Sequence, residues 1–223
     1  MKLTPSEVAV YAHNEKLRLF ELENLESIPK NIPRPDFIVV AGYGQKIPEA
    51  WLSFPTTAAI NMHPSLLPEY RGAFPAEWAI LRGEKTTGVT LLIMSSQFDK
   101  GDIVAQKKLP IEPTDTKITL YKKLYRLAAE LLVETLTKKT LTPRPQPAGN
   151  FFYARRLTRD DGYVPWEQFD IASKALETKL RALEGWPGVW TKTPEGKRLK
   201  LIKLHPTPIV QFEGKQPVKF VAS

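Results

Sequence analysis

Two short apolar runs limit the architecture of this chain more than any other feature. Phe37-Ile38-Val39-Val40-Ala41 follows Asp36 without a polar break, and Ala58-Ala59-Ile60 runs into Asn61-Met62-His63 before Pro64. A strand with one wet face alternates polar and apolar residues. A strand covered on both faces reads as a continuous apolar run, as in a parallel sheet clothed by helices. Gly42-Tyr43-Gly44 ends the first run and Pro48 opens a short helix after it. Further strands are expected over 87–94 and 103–109, with the turn Asp99-Lys100-Gly101-Asp102 between them. Leu17-Arg18-Leu19-Phe20 alternates like a short strand. Helical spacing runs through 5–15, 74–82 and 118–137, the last carried by Leu120, Leu124, Leu127, Leu131 and Leu132. Strands alternating with helices point to an α/β domain.

Residues 140–149 hold three prolines and read as a semi-rigid linker. A helix over 171–183 and β-like runs at 189–191, 200–204 and 209–212 follow it, so a small β-rich domain is expected. The division is 1–139, a linker at 140–150, and 151–223. Charge divides the chain in the same place. Residues 141–223 hold 14 Lys/Arg and 8 Asp/Glu, whereas residues 1–140 hold 18 and 16. A basic last third suits a polyanion, RNA first, although a plain solvated basic surface is the competing reading. The chain has no cysteine, which excludes disulfides, thiolate metal sites and a cysteine nucleophile. No apolar run reaches the roughly 18 residues of a membrane span, and the first residues lack a signal-peptide core. A cytoplasmic protein off the membrane is expected.

Asn61 and His63 stand two apart at the end of a strand, so they share a face. Ligands of open α/β sheets sit beyond the carboxyl ends of strands. The Asn61 amide can donate to a carbonyl oxygen that becomes an oxyanion. His63 brings an imidazole, which can stabilise that charge or move a proton. Asp99, in its Gly-containing turn, is the candidate carboxylate to orient the imidazole. Such a trio suits acyl transfer to an amine. Each residue also has a plain structural reading: a hydrogen-bonded His, a loop-capping Asn, an ordinary turn Asp. One His makes no zinc site, and His13 and His205 lie far off in sequence. No metal is expected.

Asn61-Met62-His63-Pro64-Ser65-Leu66-Leu67-Pro68-Glu69-Tyr70-Arg71-Gly72-Ala73, Thr87-Gly88-Val89-Thr90 and Phe98-Asp99-Lys100-Gly101-Asp102-Ile103 together resemble the formyltransferases that use 10-formyltetrahydrofolate. The resemblance implies a doubly wound, mostly parallel sheet and catalytic roles for Asn61, His63 and Asp99. It implies folate contacts from Ser65, Leu66, Leu67 and Pro68, and a loop bordering the pterin that includes Tyr43 and Gly44. Lys2-Leu3-Thr4-Pro5-Ser6, Tyr153-Ala154-Arg155-Arg156-Leu157, Asp161-Gly162, Trp166, Arg181-Ala182-Leu183 and Trp186-Pro187-Gly188 resemble the branch that formylates methionyl-tRNA for translation initiation. That branch implies a small barrel-like C-terminal domain that helps hold the initiator tRNA. Trp166, Trp186 and Trp190 are expected in the core rather than as stacking platforms. The alternatives are formylation of an amino-sugar nucleotide and an RNA-binding remnant without catalysis.

The family usually carries a strand, a helix and a second strand ahead of Lys2-Leu3-Thr4-Pro5-Ser6, and the C-terminus stops early after 218–221. An N-terminally truncated fold is therefore expected, with Phe37–Ala41 left as an exposed apolar edge. A miscalled start or fragmented gene is the preferred account. Self-association or a partner over that edge, and a strand near 17–20 shifted into the gap, are the other two.

Overall fold

The computed structural model describes residues 5–138 and 140–220; the start of the N-terminal match, the domain boundary at 139 and residue 221 lie outside them. Ser6 caps α1 (Glu7–Asn14) by accepting from the Ala9 amide. β1 (Phe37–Ala41), α2 (Glu49–Leu52) and β2 (Ala58–His63) follow. β3 is the pair Arg71–Gly72, and Pro75 starts α3 (Pro75–Leu81), where its missing N–H costs nothing. β4 (Thr86–Ile93) and β5 (Ile103–Pro110) form the long antiparallel pair on either side of Asp99.

The sheet order is β1-β2-β4-β5. β1 and β2 are parallel, as expected, but β2–β4 and β4–β5 are antiparallel. The sheet is therefore mixed, and the expectation of a mostly parallel one holds only for its first pair. A buried apolar strand looks the same in either direction, which is why the sequence does not distinguish them. α4 (Lys117–Leu136) covers β4 and β5. Thr116 and Thr119 close a reciprocal cap at its start, and Leu120, Leu124, Ala128 and Leu131 form its buried stripe. β1 lies at the sheet's end with Val39 39% exposed, so among the described residues it is the half-covered apolar edge expected of it.

Leu17–Phe20 is not a strand. Leu17 and Leu19 are exposed, Arg18 lies over the Phe20 ring, and among the described residues no partner strand meets the segment. Four alternating residues without a partner gain no ladder to hold them extended.

Beyond the proline-rich stretch, β6 (Tyr153–Ala154) pairs in parallel with β3. α5 (Lys174–Ala182) begins at its Ser173 cap, three residues later than helical spacing suggests. β7 (Val189–Lys192), β8 (Arg198–Lys203), β9 (Ile209–Phe212) and β10 (Val218–Lys219) form a second, antiparallel sheet in the order β10-β9-β8-β7. It is the β-rich unit expected, and among the described residues its strand order is linear rather than closed. Trp166 and Trp190 are partly buried, but Trp186 is 53% exposed beside Phe74, outside the core.

Residues 140–150 are no free tether. Arg144 exchanges two backbone hydrogen bonds with Ile103, at 2.8 and 2.9 Å, which lays the stretch along β5. One apolar cluster joins Ile60, Val89 and Leu120 on the first sheet's side to Leu183, Leu199 and Val210 on the second's.

Candidate active site

β2 puts Asn61 and His63 on one face, with Asn61 flanked in register by Val40 of β1 and Leu92 of β4. Asp99 comes from the β4–β5 turn and meets them there. Its backbone is left-handed, at φ 53°. That conformation is costly without glycine and persists where surrounding bonds over-determine it. The Gly72 amide donates to Asp99 Oδ2 at 2.9 Å, and Gln146 Nε2 donates to the Asp99 carbonyl at 2.8 Å. The other carboxylate oxygen lies 3.4 Å from Asn61 Nδ2 and 3.5 Å from His63 Nδ1. The three residues expected to work together are therefore side by side, with His63 only 4% exposed.

The imidazole is held differently from the sequence reading. Its shortest contact is Nε2 to the Tyr70 carbonyl, 2.9 Å. A carbonyl only accepts, so Nε2 carries a hydrogen and Nδ1 is the nitrogen that faces Asp99. Tyr70 is itself left-handed at φ 61°, and its hydroxyl donates to Glu84. Burial, then Glu84, pushes that hydroxyl's pKa well up, so it remains a donor. A main-chain carbonyl leaves no side-chain signature, so no pattern of residue types marks it.

A cavity of about 630 Å³ opens on Asn61, His63 and Asp99. Tyr43, Gly44 and Lys46, after β1, line it together with Phe74, Glu77, Tyr121 and Tyr125. Arg156 also lines it and donates from Nη2 to the Gly44 carbonyl at 3.1 Å. Glu77 is a buried carboxylate that accepts from the Tyr121 hydroxyl at 2.7 Å and faces Lys117 Nζ at 3.8 Å. Burial raises its pKa, and the Tyr121 bond opposes that shift. Glu77, Tyr121 and Tyr125 line the site and were left unread by helical spacing alone.

Tyr43 and Gly44 thus fall on the cavity. Ser65, Leu66, Leu67 and Pro68 do not line it. Ser65 is 1% exposed and its hydroxyl donates to the Glu69 carbonyl at 2.7 Å. Leu67 is 3% exposed, its amide donating to Thr90 Oγ1 at 3.0 Å. Thr90 passes its own hydrogen to the Ser65 carbonyl, and Gln106 donates to both Leu67 O and Thr90 Oγ1. The structure places this segment behind the site, as the brace of the turn that carries the Tyr70 carbonyl.

The arrangement suits attack of an amine on a carbonyl carbon. Asn61 Nδ2 has two hydrogens and Asp99 takes at most one, so the other is free for a developing oxyanion. Asp99 and His63 Nδ1 are bases within reach of a departing proton. Among the described residues, no group of three or more His, Cys, Asp or Glu gathers as metal ligands would, and no helix is long and apolar enough to cross a membrane.

A second surface stands out by charge. Leu199 and Leu201 of β8 are buried, while Arg198 and Lys200 alternate with them on the other face. Arg198 pairs across with Lys192 and lies over the Trp190 ring at 4.8 Å, and Trp190 pairs with Lys200. Like charges directly opposite each other weaken a sheet, so this face suits an anion that binds between them.

Both parts of the chain match known families. The formyl transferase family profile matches residues 2–136, and the formyl transferase C-terminal domain profile matches residues 156–221. Methionyl-tRNA formyltransferase of Caldanaerobacter subterraneus subsp. tengcongensis is 36% identical over 225 residues, covering 97% of this chain and 71% of that protein. That of Synechococcus sp. (strain JA-3-3Ab) is 42% identical over 181 residues, covering 78% of this chain and 54% of that one. The chain therefore spans between about half and seven tenths of the relatives it matches. Among solved structures, methionyl-tRNA formyltransferase from Clostridium thermocellum shares the fold at TM-score 0.62 and 22% identity, covering 84% of this chain and 77% of that one. HypX from Aquifex aeolicus, solved with tetrahydrofolic acid, shares it at TM-score 0.66 and 24% identity, over 83% of this chain and 37% of that one. The chain belongs to the formyl transferase family, in the group of the methionyl-tRNA formyltransferases.

Proposed function

We propose that this chain transfers the formyl group of 10-formyltetrahydrofolate to the amino group of methionyl-tRNA, with Asn61, His63 and Asp99 as the catalytic residues. The observation that carries the reading is their convergence on one cavity, two from the end of β2 and one from the β4–β5 turn. The amine nitrogen attacks the formyl carbon, and the carbonyl oxygen becomes an oxyanion that Asn61 Nδ2 stabilises. Asp99 takes the proton that the nitrogen sheds. His63, turned by the Tyr70 carbonyl, takes that proton from Asp99 through Nδ1, stabilises the oxyanion, and passes the proton to the folate nitrogen as the carbon–nitrogen bond to folate breaks. No step requires a metal. Folate as donor is supported by the family and by the tetrahydrofolic acid in the HypX neighbour. Tyr43 and Gly44 offer a ring and an open backbone to the pterin, while Ser65–Pro68 support the site from behind. The basic face of Lys192, Arg198 and Lys200 suits the tRNA backbone. That acceptor suits a reaction in the cytoplasm.

The test is formylation of methionyl-tRNA by the chain as it stands, beside an amino-sugar nucleotide as rival acceptor. One good oxyanion donor is worth about 10²–10³ in rate, so Asn61→Ala and His63→Ala should abolish most turnover with the fold intact. Turnover of both variants within roughly threefold of the parent overturns the site assignment. Formylation of the sugar alone overturns the acceptor. Salt-sensitive tRNA binding with neither folate binding nor turnover would point to the silent RNA-binding reading.

A further inference from the structure

Gln146 lies in the proline-rich stretch, 47 residues from Asp99, yet every hydrogen-bonding group on its side chain is used at the site. Nε2 donates to the carbonyls of Asp99 and Gly101, both at 2.8 Å. Oε1 accepts from Arg71 Nε at 3.0 Å and also from Nη2. The amide orientation admits no alternative: a flipped group would set oxygen against two carbonyls and N–H against a guanidinium. These partners matter because of what lies beside them. Arg71 precedes Gly72, whose amide holds the Asp99 carboxylate. Asp99 is the left-handed residue of the opposite turn. Gln146 therefore ties the donor's strand to the acceptor's turn, and it fixes both ends of the Gly72–Asp99 bond without touching either bonding atom. Arg144, two residues before it, fastens its own stretch to Ile103. The reach of the glutamine is thereby set by the same strand pair that makes the turn.

We infer that Gln146 is a positioning residue for the Asp99 carboxylate, through which the segment between the two units holds the formyl-transfer site in register. This rests on the reading of Asp99 as a catalytic group. Gln146→Ala removes the clamp. Gln146→Glu keeps an acceptor for Arg71 but replaces the two donors with an oxygen facing two carbonyls, and it is the harsher change for the turn. Misplacing a catalytic group by about an ångström costs up to 10²-fold, so kcat should fall roughly 10- to 100-fold, with the KM for folate little changed.

The deciding measurement is site-resolved amide hydrogen exchange, which needs no turnover. In the parent the Gly72 amide is protected by Asp99. In Gln146→Ala and Gln146→Glu that protection should drop while the β4 amides keep theirs, and Thr142→Ala, an exposed neighbour in the same stretch, should change nothing. Unchanged Gly72 protection in both variants overturns the inference. So does loss of protection spread evenly over β4, which would make Gln146 a general structural support. If Gly72 loosens but Asp99→Ala leaves formylation intact, the positioning stands and the catalytic reading of Asp99 falls.

Discussion

The loops after β1 and β2 leave neighbouring parallel strands at the same end of one sheet, yet they are built in opposite ways. Residues 64–70 are sunk into the protein, with Ser65 and Leu67 almost without exposure, the Ser65 carbonyl and Leu67 amide answered by Thr90 and the Leu67 carbonyl by Gln106. Residues 42–47 lie open. Tyr43 is 44% exposed, and the one side-chain bond from elsewhere in the chain to this loop's backbone, among the described residues, is that from Arg156 to Gly44. The first loop is frame and the second is wall. A frame sets where charge develops in the reaction; a wall sets what fits beside it.

The largest break in that contrast comes from within the frame's reach. Asn61→Ala should lower kcat about 10²–10³-fold with the KM for folate nearly unchanged, measured by steady-state formylation. Thr90→Val should follow. The buried hydroxyl receives the Leu67 amide and answers the Ser65 carbonyl, and its removal leaves both unpaired. A cost of about 2–3 kcal/mol is expected, read as a shift of the denaturant midpoint at constant m-value. Arg156→Met should do the reverse of Asn61→Ala. The wall loop loses its external bond, so the KM for folate rises several-fold while kcat stays within about twofold and the melting temperature barely moves.

The smallest effect concerns how Arg156 is anchored. Its neighbour Arg155 pairs with Asp161, and this bond, with help from the Thr158 amide and hydroxyl, holds the Asp161 carboxyl down at about 2 from an ordinary 3.8. A depressed acid stabilises the fold above its unfolded pKa and stops doing so as pH falls through its folded one. The melting temperature of Asp161→Asn should therefore lie below the parent's at neutral pH. That gap should close as pH is lowered from about 4 toward 2. A gap that persists at the acid end would mean the pair matters for its shape rather than its charge.

The meeting of Asn61, His63 and Asp99 was legible in the sequence, and the role of the frame behind them was not. Asn61 and His63 could be placed because period-two alternation decides which residues share a face, and Asp99 because a glycine-containing turn between two strand-like runs has few places to go. The direction of β4 could not be read, since burial on two faces erases the alternation that would have told parallel from antiparallel. Ser65–Pro68 carry a family signature, but a signature does not say whether a segment touches a ligand or props up the residue that does. The Tyr70 carbonyl and Gln146 escaped for a shared reason. Both act through or upon main-chain atoms, and main-chain atoms are the same at every position. Leu17–Phe20 misled in the other direction, because alternation is necessary for a strand but the partner is what makes one.

The apolar cluster that passes from Ile60 and Leu120 into Leu183, Leu199 and Val210 has a thermodynamic consequence. Two units that share a core cannot melt one at a time without opening the other to water. The basic sheet and the formyl cavity should then unfold in a single transition, with calorimetric and van't Hoff enthalpies that agree. A substitution in either unit would shift the midpoint of both, so damage to the basic sheet would be felt as instability around the cavity even where no atom there has moved.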